Sequence, residues 1–166
     1  MRKTVIITGA TDGLGKALAI MLSKEYNLAL CGRSEAKMSE LLNELDDFND
    51  RRFVENLNRY LMNNFVRSSS SSDNTSYDAI VVQKGNRMAL VRAVKVILDA
   101  RGIDNVLVEG NKDGMAWNMV KVNNKYRHLD VYANYIQRDE SYCFLVTTKD
   151  LPSGYEYDQA AYPKCD

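Results

Sequence analysis

The stretch "TGATDGLG", Thr8 to Gly15, follows the apolar run "VII", Val5 to Ile7, and leads into "KALAIMLSKEY", Lys16 to Tyr26. A buried strand that turns through closely spaced glycines straight into a helix is the phosphate-cradling start of a nucleotide-binding βαβ unit. Gly9 takes the tight turn, and Gly13 leaves the backbone without a Cβ where a pyrophosphate approaches. Gly15 lets the helix pack against the strand. The exposed N–H groups and the positive helix end then face the anion. The candidate cofactor-binding residues of the turn are therefore Thr8, Gly9, Thr11, Gly13, Leu14 and Gly15.

Working outward, "LALC", residues 28–31, reads as a second strand and "SEAKMSELLNEL" as a second helix. Ser34 is placed to cap that helix, and Met38, Leu41, Leu42 and Leu45 recur at i, i+3, i+4, i+7. The unit is βαβα. After Leu45 the pattern changes: "LDDFNDRR" is polar and turn-rich, and another helical pattern, Phe53, Leu57, Tyr60 and Leu61, stands where a third parallel strand is due. The expected division is residues 1–46 and residues 47–166. Two parallel strands and two helices leave a sheet edge and apolar surface open. The unit is thus expected to dock on the rest of the chain, on a protein partner, or on a second copy in a homo-oligomer.

The second segment opens with "RSSSSSDNTS", residues 67–76, a low-complexity polar stretch read as a solvated loop. A helix is expected over about 86–101, with Leu90, Val91, Val94, Ile97 and Leu98 inward and Gly102 as its C-cap. "NVLVEG", "MAWNMVKV", "KYRHLDVY" and "YCFLVTT" read as strands, the middle pair joined by a tight turn at Asn123-Asn124.

With 22 basic and 22 acidic residues the 166-residue chain has no formal net charge, which argues against a broad nucleic-acid surface. No apolar stretch approaches the roughly 18 residues of a membrane span, and the first residues do not form a secretory leader, so a cytoplasmic location is expected. Cys31, Cys143 and Cys165 lie far apart without CxxC spacing, so neither a disulfide framework nor a metal site is expected.

The segment over about residues 3–45 resembles the start of the short-chain dehydrogenases/reductases, whose T-G-x-x-x-G-x-G fingerprint is met by Thr8, Gly9, Gly13 and Gly15. The resemblance implies a dinucleotide. At the end of the second strand stands "CGRS", and Arg33 there looks like that family's contact to a 2′-phosphate, implying NADP(H). The family's chemistry also needs a Tyr-x-x-x-Lys pair and an Asn-Asn-Ala-Gly motif. No tyrosine of this sequence has a lysine four residues later, and the second motif is missing, so hydride transfer by this chain alone is not expected.

The segment from near residue 50 onward is similar to the bacterial transglutaminase-like family, a papain-type fold known by a Gly-x-Cys at its core helix, a His-Ala-Trp-Asn strand and a following aspartate. On this sequence the Trp-Asn falls on Trp117 and Asn118 and the aspartate on Asp130. The catalytic cysteine is replaced by Arg87 and the histidine by Met115. Acyl transfer of this kind needs a thiolate activated by an imidazole that a carboxylate orients. Arginine stays protonated and methionine has no acid–base capacity. No catalytic residue is therefore assigned, and Arg87, Met115 and Asp130 are read as a degenerate triad.

A cation at a helix N-terminus needs compensation, and the resemblance brings Asp130 to Arg87 as its partner. His128, two residues before Asp130 in the same expected strand, is read as an ordinary strand residue facing the same side. Trp117 and Cys143 are read as core, and Cys165 as exposed near the terminus. The expected fold class is α/β, a truncated Rossmann-like βαβα unit followed by an α+β transglutaminase-like domain with an antiparallel sheet. The expected function is a non-catalytic, NADP(H)-responsive or partner-binding module. The alternatives are an accessory to an NADP-dependent oxidoreductase that needs another chain, or a purely structural interaction protein.

Overall fold

The computed structural model of the protein describes residues 3–23 and 26–166, with backbone alone over 46–49. The chain divides into two compact units, Met1–Arg52 and Phe53–Asp166.

In the first unit, strand β1 (Thr4–Thr8) leads through the glycine turn into helix α1 (Gly13–Leu22), followed by strand β2 (Asn27–Cys31) and the beginning of helix α2 (Glu35–Asn64). β1 and β2 pair in parallel, with Val5 opposite Leu28 and Ile7 opposite Leu30. Because side chains alternate along a strand, these four point to one face, where they join Ala19 of α1 and Leu41 and Leu45 of α2 in a small core. The other face carries Ile6, which stays 71% exposed, although parallel sheets are normally covered on both sides.

Helix α2 corrects the expected break after Leu45. It continues through "LDDFNDRR" to Asn64. The stretch contains neither Gly nor Pro, and Asp or Asn inside a helix costs only about 0.7 kcal/mol each, so polarity by itself does not end it. Beyond residue 52 its inward positions are Val54, Leu57 and Leu61, whereas Tyr60, expected inward, is exposed.

The second unit continues with strand β3 (Val66–Arg67), one π-helical turn (Asp78–Val82), strand β4 (Lys84–Gly85) and helix α3 (Arg87–Arg101). β3 and β4 form a short parallel pair that the sequence did not announce. The serine stretch between them is tied down rather than merely solvated. Ser68 is buried and donates to Asp73 at 2.6 Å, while Asn86 donates to the Ser70 carbonyl at 3.2 Å and Arg92 to that of Asn74 at 2.9 Å. Short hydroxyl, amide and carboxyl side chains close local turns, which supplies the order that the missing apolar residues do not.

α3 starts behind Asn86, whose side chain accepts from the Ala89 N–H, and stops at Gly102. Strands β5 (Asn105–Glu109), β6 (Ala116–Val122), β7 (Lys125–Leu129) and β8 (Phe144–Val146) then form an antiparallel sheet in that order. The turn between β6 and β7 uses Asn123 and Asn124, both at positive φ, 54° and 56°.

The third expected strand ends earlier than its sequence suggested. β7 stops at Leu129, and Asp130 caps a helix, α4 (Val131–Gln137), with its carboxylate accepting from the Ala133 N–H at 2.9 Å. An aspartate just before "VYANYIQ" satisfies an otherwise orphaned donor, and that local gain wins over strand propensity.

One sheet face, with Val120, Val122 and Leu129, packs on Leu90, Val94 and Leu98 of α3 and on Val54, Leu57 and Leu61 of α2. The other face, with Val108, Trp117 and Met119, is covered by Tyr155, Tyr157, Tyr162 and Cys165 of the last segment. Trp117 is fully buried and touches the Tyr155 and Tyr157 rings edge-on at 5.0 and 5.5 Å. Both faces of β6 are buried over Ala116–Val120, and its one polar residue there, Asn118, donates to the Val91 carbonyl at 3.1 Å.

Candidate functional site

Two clefts carry the residues that the sequence singles out, one in each unit. In the first unit a cleft of about 510 Å³ runs between the glycine turn, represented by Thr8, Gly9, Thr11 and Asp12, and the end of β2 with the start of α2. The second wall is Cys31, Gly32, Arg33, Ser34 and Lys37. Gly9 and Gly13 hold φ values of 67° and 47°, a region that side-chain-bearing residues enter only at a cost. Gly15 answers to packing instead: a Cβ there would lie 2.2 Å from the Gly9 carbonyl oxygen. The Ala10 N–H donates to the Cys31 carbonyl at 3.1 Å and so ties the turn to the end of β2.

Thr8, Gly9, Thr11 and Arg33 thus share one cleft. Gly13, Leu14 and Gly15 do not line it; Leu14 is 78% exposed, and Gly15 backs the turn. Sequence reasoning missed Asp12 and Lys37. Asp12 caps α1 by accepting from the Gly13 N–H at 3.0 Å, and its other oxygen accepts from Lys37 Nζ at 2.6 Å. The Lys37 ammonium and the Gly13 N–H hold the Asp12 carboxyl below its ordinary range, and Asp12 in turn raises Lys37. A carboxylate therefore already sits at the positive end of α1, balanced by a lysine one turn into α2. The available signal was the Ser34-to-Lys37 spacing, which places a cation one helical turn after the cap; the Lys37 N–H donates to Ser34 Oγ at 3.3 Å.

In the second unit a cleft of about 260 Å³ is bordered by Arg87, the first residue of α3, and by Met115, just before β6. Asp130 lies behind Arg87. The guanidinium donates through Nη1 to the Asp130 carboxylate and, at 3.1 Å, to the Ala116 carbonyl. Its flat face lies 4.7 Å from the centre of the Tyr132 ring. Asp130 is fully buried and also accepts from Tyr155 Oη at 2.7 Å and from the Ala133 N–H. The pairing expected of Arg87 and Asp130 is present. It places a negative charge beside a cation that the helix dipole alone would disfavour.

His128 and Asp130, expected on one face of one strand, are directed to different partners. His128 Nδ1 accepts from Trp117 Nε1 at 2.9 Å, so its proton sits on Nε2, 3.2 Å from Thr148 Oγ1 and 3.3 Å from Tyr157 Oη. Burial pulls its pKa down to about 4, which keeps the imidazole neutral. Burial, with the Asp130 charge adding to it, pushes the Cys143 thiol up to about 12. Cys165 corrects its expected exposure: it is buried and its thiol donates to the Tyr126 carbonyl at 3.0 Å. Burial raises its pKa as well. Tyr132 and Tyr155 are the site residues that sequence reading missed, and Tyr155 comes from a segment with no local pattern to announce it.

Among the described residues no helix is long and apolar enough to cross a membrane, and no cluster of His, Cys, Asp or Glu is arranged to hold a metal ion.

Comparison with known proteins matches residues 3–57 to the short chain dehydrogenase family. The match runs past residue 45, where the glycine-turn resemblance was placed. The NADPH-dependent pterin aldehyde reductase of Arabidopsis thaliana is 32% identical over 127 residues, 76% of this chain and 49% of that protein. Dehydrogenase/reductase SDR family member 7B of Xenopus laevis is 32% identical over 117 residues, 66% of this chain and 36% of that protein. Over a shorter stretch of 41 residues, 24% of this chain, identity rises to 49% with the very-long-chain 3-oxoacyl-CoA reductase of Eremothecium gossypii, covering 12% of that protein. The chain spans about half the length of the first of these relatives and less of the others. Its N-terminal part, from β1 into α2, is short chain dehydrogenase-like both in sequence and in its βαβα backbone.

Proposed function

We propose that the first unit binds NADP(H) and that these 166 residues act as a nucleotide-responsive, non-catalytic module. The observation that carries the reading is the shared cleft of the glycine turn and Arg33. The turn offers backbone N–H groups at a helix start, which suits a pyrophosphate, and Arg33 offers a cation where an adenosine 2′-phosphate would lie, while Lys37 beside it is bonded to Asp12. The residues present therefore fit the dinucleotide. The name of the Arabidopsis relative, an NADPH-dependent reductase, is in keeping with that choice. When bound, the nicotinamide would supply a hydride donor or acceptor. The chain's own part is to bind and orient it, because no Tyr-x-x-x-Lys pair stands in the sequence to move the accompanying proton.

For the second unit we propose a transglutaminase-like domain whose triad positions are Arg87, Met115 and Asp130. A helix start and the residue before β6 border one cleft, and the residue after β7 is bonded to that helix start from behind it, which supports this reading. With arginine and methionine in two of the three positions, the cleft is read as one that binds rather than reacts. The exposed Ile6 on the bare sheet face favours a second role, contact with a protein partner or a second copy. The deciding experiment is calorimetric titration of the full chain with NADPH and NADH. The proposal expects NADPH to bind more tightly, and uptake of neither at millimolar concentration would overturn it.

A further inference from the structure

The cleft in the second unit holds more positive charge than its ion pair consumes. Arg87 is matched by Asp130, but only Nη1 of its guanidinium is used, on Asp130 and the Ala116 carbonyl. Arg67, on the exposed β3, borders the same cleft and makes no ion pair with any described residue. The remaining wall is mostly apolar or aromatic, with Met115, Tyr132, Ile136 and Tyr142, and Gln137 adds one amide. Ile136 and Tyr142 are 43% and 36% exposed, so apolar surface is left uncovered beside the unbalanced cation.

We infer that this cleft is a binding site for a small monocarboxylate with an aromatic or apolar body. Arg67 supplies the charge, and the planar fork of a guanidinium matches a carboxylate with two parallel N–H···O bonds. Tyr132, Tyr142 and Ile136 cover the body of the ligand, which removes their apolar surface from water. The volume of about 260 Å³ lies just below the roughly 300–1,000 Å³ of drug-sized sites, so the occupant is small. A dianion such as phosphate fits less well. Asp130 stands next to Arg87 and repels a second negative charge, and Arg67 is the one cation of the lining left without an ion pair among the described residues. This site is separate from the nucleotide cleft and rests on none of the residues proposed for NADP(H).

The test uses phenylacetate as probe on the full chain, with phenylacetamide as its neutral isostere and inorganic phosphate as the competing anion. Saturable phenylacetate binding is expected by calorimetry, with phenylacetamide and phosphate each at least about tenfold weaker. Arg67→Gln should weaken phenylacetate by at least about tenfold, and Arg67→Lys by less, with the buried Trp117 fluorescence showing that both variants remain folded. The proposal is overturned if phenylacetate does not bind up to about ten millimolar, a concentration that corresponds to less than about 3 kcal/mol. Equal binding of phenylacetamide or phosphate, or undiminished binding by folded Arg67→Gln, also overturns it. The comparison of phenylacetate with phenylacetamide needs no variant, so it decides even if the substitutions disturb folding.

Discussion

The carboxylate of Asp130, cap of α4, is bonded to the guanidinium of Arg87, first residue of α3, and is buried there with Tyr155 as a further donor. One ion pair thus ties the starts of two helices to each other and, through the Ala116 carbonyl, to β6. Such a pair is not favourable merely because it is charged, since both ions lose water. Its removal from one side is what costs, because an uncompensated charge stays behind.

Arg87→Ala is therefore expected to destabilise the second unit by about 3–5 kcal/mol, against about 0.5 kcal/mol for an ordinary surface change. Asp130→Asn in addition should recover part of that loss, because asparagine keeps a cap oxygen and carries no charge to strand. Urea melts of the four members of the cycle check this, and additive losses would mean the residues do not interact.

NADPH affinity should fall about ten- to a hundredfold in Arg33→Ala while NADH affinity stays near that of the unaltered chain, the loss of one charge-assisted contact being about 1.5–3 kcal/mol. Gly13→Val should abolish both, since its φ of 47° penalises any β-branched side chain and the added methyls crowd the approach to the turn.

Asp12 competes with a phosphate for the start of α1 and for Lys37. Asp12→Asn keeps a cap oxygen, removes the negative charge and releases the lysine, so NADPH should bind several-fold more tightly, and by a larger factor at low salt than at physiological salt. Calorimetry at two ionic strengths measures it; weaker binding would show that Asp12 helps to shape the turn.

Stability should drop between pH 6.5 and about 4 through His128, the only histidine of the chain. Its folded pKa is depressed to about 4 from an ordinary 6.5. In that window the unfolded chain binds the extra proton and the folded one does not, so stability is full above pH 6.5 and is lost as pH falls. The shift amounts to roughly 3 kcal/mol at its limit. Urea melts followed by Trp117, the bonding partner of His128, should show the loss, and His128→Gln should be nearly flat over the same range.

Alkylation with iodoacetamide of the native protein should label Cys31, which is exposed, and leave Cys143 and Cys165 unreacted until denaturant is added. The thiolate is the reactive form, and burial suppresses it at both sites. Rapid labelling of Cys143 would contradict its placement behind the Arg87–Asp130 pair.

Local chemistry made several elements readable from the chain alone. The glycine spacing after β1, the Ser34 start of α2, the Asn86-to-Gly102 limits of α3 and the Asn123-Asn124 turn all act within a few residues, so their physics is complete in the sequence. The same locality misled at "LDDFNDRR", where polar residues read as a break although nothing in them stops a helix. It misled again at Asp130, whose capping of α4 outweighs the strand pattern leading up to it.

What tertiary structure decided are the partnerships between distant positions. Lys37 reaches Asp12 across 25 residues, Arg87 reaches Asp130 across 43, and Tyr155 reaches Asp130 across 25. Cys165 is buried only because the last segment lies over the Trp117 face of the sheet. A side chain's charge and shape are written in its residue type, whereas the group it meets depends on how strands and helices cross. The sequence therefore determined which chemistries the two clefts contain, and packing determined which of them are spent on internal ion pairs and which, like Arg67, form none with the described residues.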